Sequence, residues 1–239
     1  MTAQLSGTTS FTPDLNELVE EAFERCGAEL RTGYDMRTAR RSLNLLLMEW
    51  ANRGINLWTL DSGQIPMVYN TGTYDLPVDT VDLLDHVVRT GTGTNQIDIS
   101  ITRISNSTYA TIPNKNATGR PIQVWINRRT GATSSLGVTI PPQITVWPLP
   151  DNATTYTFVY WRLRRMQDAG NGVNGEDVPF RLIPCMVAGL AYYLAMKLPG
   201  AEQRIEMLKA MYDEEWQRAA DEDREKASVR FVPRQTFLR

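Results

Sequence analysis

RTARRSLNLLLMEWANRG, Arg37–Gly54, holds three arginines in its first five residues, an unbroken apolar run and a closing glycine. The pattern predicts a helix from about Asp35 to Arg53, ended by Gly54, the residue that most readily takes the left-handed conformation at a helix terminus. The run Leu45, Leu46, Leu47, Met48 occupies more than one helical face. Such a helix is expected to be covered on two sides, by its own fold and by a neighbouring subunit, although a central helix of a monomer accounts for the run equally well.

Upstream, Leu15, Leu18, Val19, Ala22, Phe23, Cys26 and Leu30 recur at helical spacing, with Glu17, Glu20, Glu21 and Glu24 on the other side. That predicts an amphipathic helix capped by Thr12, with Pro13 at its first position and a turn at Gly33. Downstream the period changes. From Trp58 to about Arg165 apolar and polar residues alternate, as in Ile97, Ile99, Ile101; Ile122, Val124, Ile126; and Tyr156, Phe158, Tyr160. Turns at NTGTYD, TGTGTN, RRTGA and LPDNAT separate these runs, which predicts antiparallel strands in a small sandwich or barrel.

After DAGNGVNGED, Asp168–Asp177, two further helices are expected, over Pro179–Leu198 and from Ala201 to about Lys226, divided by Pro199 and Gly200. Neither helix pair can bury its apolar faces alone, so all four are expected to pack together with the β region as an insertion. The expected class is α+β. The helical domain is discontinuous (1–57 and 179–226), around a β insertion (58–165), a linker (166–178) and an extended C-terminal tail (227–239).

At 239 residues, 42% hydrophobic and 22% charged, with a net charge of −2, the chain has the composition of a globular protein and not of a broadly basic nucleic-acid binder. Any DNA contact must be local. Cys26 and Cys185 fall in apolar helical patterns and read as buried thiols. The N-terminal MTAQLSGTTSFTPD has no secretory pattern, which leaves the formal sequons at Asn106, Asn116 and Asn152 without weight. The longest apolar stretch, Ile183–Met196, is too short to span a bilayer.

Catalytic chemistry finds little support. His86 is the one histidine and has no cysteine nearby to form a metal or nucleophile cluster. Asp79, Asp82 and Asp85 lack ligand-loop spacing, DAGNGVNGED lacks oxygen ligands at alternate positions, and TGTGTN lacks the lysine of a phosphate loop. No catalytic, cofactor or metal residues are expected, and the chain reads as a non-enzyme.

Charge is more informative. Arg37, Arg40 and Arg41 stand in the first turns of a helix, where its dipole disfavours cations. Asp213, Glu214, Glu215, Asp221, Glu222, Asp223 and Glu225 crowd the last helix against Arg218 and Arg224. Such surfaces suit head-to-tail ring contacts, with Arg37, Arg40 and Arg41 meeting Glu214, Glu215 and Asp221 of the next copy. Pairing within the chain, or plain solvation, is the competing account.

In ARRSLNLLLMEWANRGINLW, the residues Ala39, Arg40, Leu43, Asn44, Leu47, Glu49, Trp50, Gly54, Leu57 and Trp58 form a pattern that continues in YDLPVDTVDLLDHVVR through Tyr74, Leu76, Pro77, Asp79 and Asp82. GRPIQVWINR, ITVWPLPDNATTYTFVYWRLRRMQDAG and GLAYYLAMKLPG follow in order. Together they resemble the head-to-tail adaptors of short-tailed bacteriophages, the group of tail tubular A proteins and packaged-DNA-stabilising adaptors. The resemblance implies a structural virion protein at the head–tail junction, assembled in the host cytoplasm. It implies a ring, usually of twelve copies, that docks on the portal protein, closes the packaged head, receives tail nozzle or tail fibre proteins and passes double-stranded DNA without sequence preference.

It also implies a role for the closing SVRFVPRQTFLR. Thirteen residues from Ala227 extend to about 43 Å at about 3.3 Å each. Val229, Phe231 and Phe237 are expected to fill portal pockets, and Arg230, Arg234 and Arg239 to meet acidic or carbonyl groups. A frayed terminus is the competing account. A carbohydrate-binding tail or baseplate module is the alternative function, on the strength of aromatic strands bearing Trp125, Trp147 and Trp161. An envelope hydrolase lacks a convincing carboxylate pair, and a DNA-binding regulator lacks a recognition helix.

Overall fold

The computed structural model describes residues 11–54, 57–129, 137–170 and 175–223. The chain is mixed α+β and divides into two compact units, Met1–Leu57 with Gln167–Arg239, and Trp58–Met166. The α-helices among the described residues are α1 (Leu15–Cys26), α2 (Gly33–Arg53), α3 (Asn106–Ala110), α4 (Ile183–Ala195) and α5 (Ile205–Glu222), of which α3 lies within the second unit.

In the first unit, α1 starts at a reciprocal cap. The Glu17 N–H donates to the Asp14 carboxylate at 2.9 Å, and the Asp14 N–H donates to Glu17 at 3.1 Å. Thr12 is therefore not the cap: the residue three places after it is Leu15, which cannot return the bond, whereas Asp14 has Glu17. The helix also stops earlier than its apolar spacing predicts. Gly27 takes a left-handed φ of 78°, and the Gly27 and Ala28 N–H groups close on Glu24 and Phe23, which leaves Leu30 outside the helix.

Thr32 and Asp35 cap α2 in the same reciprocal way, and Gly54 ends it at φ 86°. Its apolar run splits two and two: Leu46 and Leu47 are buried with Ala39, Leu43 and Trp50, while Leu45 and Met48 face out.

Helix α4 is the centre of this unit, and α1, α2 and α5 all pack against it. Nearly all its residues from Cys185 to Ala195 are buried, so it needs apolar neighbours on every side, each large side chain contributing about 1.5–3 kcal/mol. Gly189 permits the closest approach: a Cβ there would stand 2.8 Å from Tyr212 and 2.9 Å from Leu46. Polar pins join the sequence-distant halves. Trp50 Nε1 donates to the Tyr212 hydroxyl at 3.1 Å, the Tyr193 hydroxyl to Glu49 at 2.6 Å, Lys197 Nζ to the Ser42 hydroxyl at 2.7 Å and the Ala169 N–H to Asn44 at 2.8 Å. A one-turn 3-10 segment precedes both α4 and α5, and α5 ends at Glu222, short of the expected Lys226.

The second unit is a sandwich. Strands β1 (Leu60–Pro66), β2 (Thr73–Asp75), β3 (Thr80–Thr90), β4 (Ile97–Ser100), β5 (Thr102–Ile104), β6 (Thr118–Gly119), β7 (Gln123–Asn127), β8 (Gln143–Trp147), β9 (Leu149–Pro150) and β10 (Tyr156–Arg164) form three sheets. Their orders are β1-β10-β3-β4, β2-β8-β7-β5 and the pair β6-β9. Leu83, Val88, Phe158 and Tyr160 from the first sheet and Val124, Ile126, Ile144 and Val146 from the second share one core; a register shift in β3 between Leu83 and Asp85 brings both Leu83 and Val88 to the inner face. The sheets are not wholly antiparallel: β5 with β7, and β6 with β9, run parallel. The long connection through α3 supplies the crossover a parallel pair needs.

Arg162 on β10 ties three segments, with Nη1 2.6 Å from Asp79, Nη2 3.0 Å from Asp61 and Nη1 2.9 Å from the Thr80 hydroxyl.

Candidate functional site

The residues expected to make inter-subunit contacts sort by helical face. On α2, Arg37 and Arg41 are exposed and share the outward stripe with Tyr34 (68% exposed), Leu45 (48%) and Met48 (47%), diametrically opposite Leu43 and Trp50. Arg40 is turned away from that stripe and half-buried, close enough to Glu176 to oppose the upward push that burial exerts on its carboxyl, which stands at about 7.

On α5, Glu214 and Asp221 lie on a stripe with Met207 (52% exposed) and Met211 (40%), opposite the buried Leu208, Tyr212 and Ala219. Glu215 is half-buried. Arg218 pairs with both Glu214 and Glu215, and Gln217 donates to Asp221 at 3.4 Å, so part of the acidic charge is met within the chain. Along the sequence, Asp213 to Glu225 holds seven acids and two arginines, Arg218 and Arg224. The two methionines escaped sequence reasoning because they are isolated in an acidic helix; their i, i+4 spacing was the available signal.

Concavities lie among the described residues of this unit. A cavity of about 470 Å³ is lined by Leu18, Ile183, Pro184 and Val187 with Glu20 and Glu24. A smaller one, of about 270 Å³, is lined by Phe23, Tyr34, Thr38, Arg41, Leu194 and Lys197.

The other singled-out side chains are built into structure. His86 stacks on Phe158 at 5.9 Å, and burial, then Arg103, pushes its imidazole pKa down. Asp79 is bound to Arg162, and Asp82 to Arg103 and Arg128. Among the described residues no group of three or more histidine, cysteine or acidic side chains is arranged to hold a metal. Cys26 and Cys185 are free and buried; burial pushes their thiols up to about 11 and about 12. Trp125 stacks on Tyr109 at 5.2 Å, Trp147 donates to the Asn114 carbonyl at 2.9 Å, and Trp161 is exposed. No described helix is long and apolar enough to cross a membrane.

Val229, Arg230, Phe231, Arg234, Phe237 and Arg239, the expected portal contacts, lie outside the described residues. Residues 13–234 match the family model described as SU10 adaptor protein, a match that runs through both helical halves and the whole β insertion. No curated protein matches the chain.

Proposed function

The chain belongs to the SU10 adaptor protein family and is a phage adaptor-type structural protein of the virion; from that premise we propose that it forms the ring between portal and tail of a short-tailed phage. About twelve copies close head-to-tail, matching the portal's symmetry. The observation that carries this reading is the match over residues 13–234, which includes the helical domain, the β insertion and most of the basic tail.

In this reading the helical unit makes the ring, the tail beginning at Ala227 docks on the portal, and the β unit receives tail nozzle or tail fibre proteins. The role is structural and not catalytic. DNA passes through the ring on weak, sequence-independent contacts, consistent with a net charge of −2.

The test is native mass spectrometry of the protein mixed with its cognate portal, beside a version truncated after Lys226. Binding of about one copy per portal subunit, lost on truncation, is the expected result. Binding that survives truncation overturns the docking role of the tail. No binding by either version overturns the adaptor ring and favours a glycan-binding role for the β unit, whose Trp161 is exposed.

A further inference from the structure

The outward stripes of α2 and α5 have matching halves. Along α2 the cations come first, Arg37 and Arg41, followed by the apolar Leu45 and Met48; along α5 the apolar Met207 and Met211 come first, followed by Glu214 and Asp221. In each helix the charged and apolar centres lie about two turns apart, roughly 11–13 Å at about 1.5 Å per residue. Only an antiparallel pairing places cation against anion and apolar against apolar at once.

We propose that the α2 stripe of one copy packs antiparallel on the α5 stripe of the next, and that this pair of faces is the ring contact. The proposal rests on the ring reading above and specifies its contact. Leu45 lies over Met211, Met48 over Met207, and Arg41 against Glu214. Arg218 holds both Glu214 and Glu215 within its own chain, so Arg41 shares the Glu214 carboxylate with it.

Several observations favour a second copy as the occupant. Leu45 and Met48 are large apolar side chains left half-exposed in a helix whose other face is fully packed, as are Met207 and Met211 in α5. The α2 stripe carries cations alone, and the α5 stripe carries Glu214 and Asp221 with Arg218 between them, so the two stripes keep opposite net sign. The two faces differ from each other, so the contact is heterologous and propagates around a ring instead of stopping at a dimer. Arg40 and Glu215 are excluded, since both are half-buried and point off the stripes.

The experiment uses full-length protein carrying Leu45→Cys with Met211→Cys, assembled on portal and treated with a short bis-maleimide. Helices packed about 8–10 Å apart bring facing side chains within its reach. The native Cys26 and Cys185 are buried, so single-substitution controls report background. A ladder of covalent multimers from the double variant, absent from both singles, is the expected result.

Portal-bound multimers of the double variant, seen by native mass spectrometry but yielding no ladder, overturn the α2–α5 contact and leave the ring reading standing. If wild-type protein forms no multimers on portal, ring and contact fall together. Charge reversal gives an independent readout. Arg41→Glu is expected to lower multimer yield by about tenfold, and adding Glu214→Arg to restore most of it; a double reversal no better than the single counts against the register.

Discussion

Trp50 donates its indole N–H to the Tyr212 hydroxyl at 3.1 Å, and both side chains are buried. The pair joins helices that are 162 residues apart in sequence, across the length of the β insertion. Trp216 lies beside Trp50 at 5.9 Å, and the Arg53 guanidinium sits 4.6 Å over the Trp216 ring. Removing the hydroxyl strands a buried donor. Tyr212→Phe is therefore expected to cost about 1–3 kcal/mol, read as a lower urea midpoint by tryptophan fluorescence.

Gly189 tests the packing of α4 against its neighbours. Alanine improves helix propensity by about 1 kcal/mol, but its Cβ would meet Tyr212 and Leu46, which the Trp50 bond and the core hold in place. The clash decides the sign. Gly189→Ala is expected to be destabilising by about 1–3 kcal/mol in denaturant unfolding. Gly189→Leu is expected to remove the cooperative transition of the helical unit.

Arg162 predicts an asymmetry in the β unit. Its side chain is only 10% exposed, whereas Asp61 and Asp79 are close to half-exposed. Asp61→Asn with Asp79→Asn leaves a buried cation without a counter-charge and is expected to cost about 3–5 kcal/mol. Arg162→Met lets both carboxylates return to water and is expected to cost less, about 1–2 kcal/mol. Equal losses in thermal unfolding would contradict the account. The Arg162 hydrogen bond also holds the Asp79 carboxyl below the usual carboxylate range. That stabilisation is present above the unfolded pKa of 3.8 and is lost as pH falls through the folded value, so Asp79→Asn is expected to flatten the acid limb of stability.

Glu176 gives the opposite sign. Burial raises its carboxyl from 4.5 to about 7, and one carboxylate oxygen is buried without a hydrogen-bond partner. The folded state binds this proton more tightly than the unfolded chain, so stability falls as pH rises from 4.5 through about 7. Glu176→Gln is expected to remove that slope and gain about 1–2 kcal/mol at pH 8 after allowance for solvent screening. Denaturant midpoints across this range would check both the direction and the flattening.

The sequence alone determined the class of the protein and the order of its parts. Helical periodicity in Leu15–Cys26 and Arg37–Gly54, strand alternation in Tyr156–Tyr160 and the glycine at Gly54 are local signals, set by backbone geometry and readable without a partner. Local competition was harder to read. Asp14 displaced Thr12 as the cap because Glu17 could answer it, and Gly27 ended α1 before the apolar pattern ran out. The parallel strand pairs, the Trp50–Tyr212 bond and the role of Gly189 join residues far apart in the chain, and tertiary structure alone decided them. The same holds for the interaction surface. Leu45, Leu46, Leu47 and Met48 are one apolar run in the sequence, and only packing against α4 showed which pair is buried and which faces out. A run that covers more than one helical face carries no information about which face its own fold will cover.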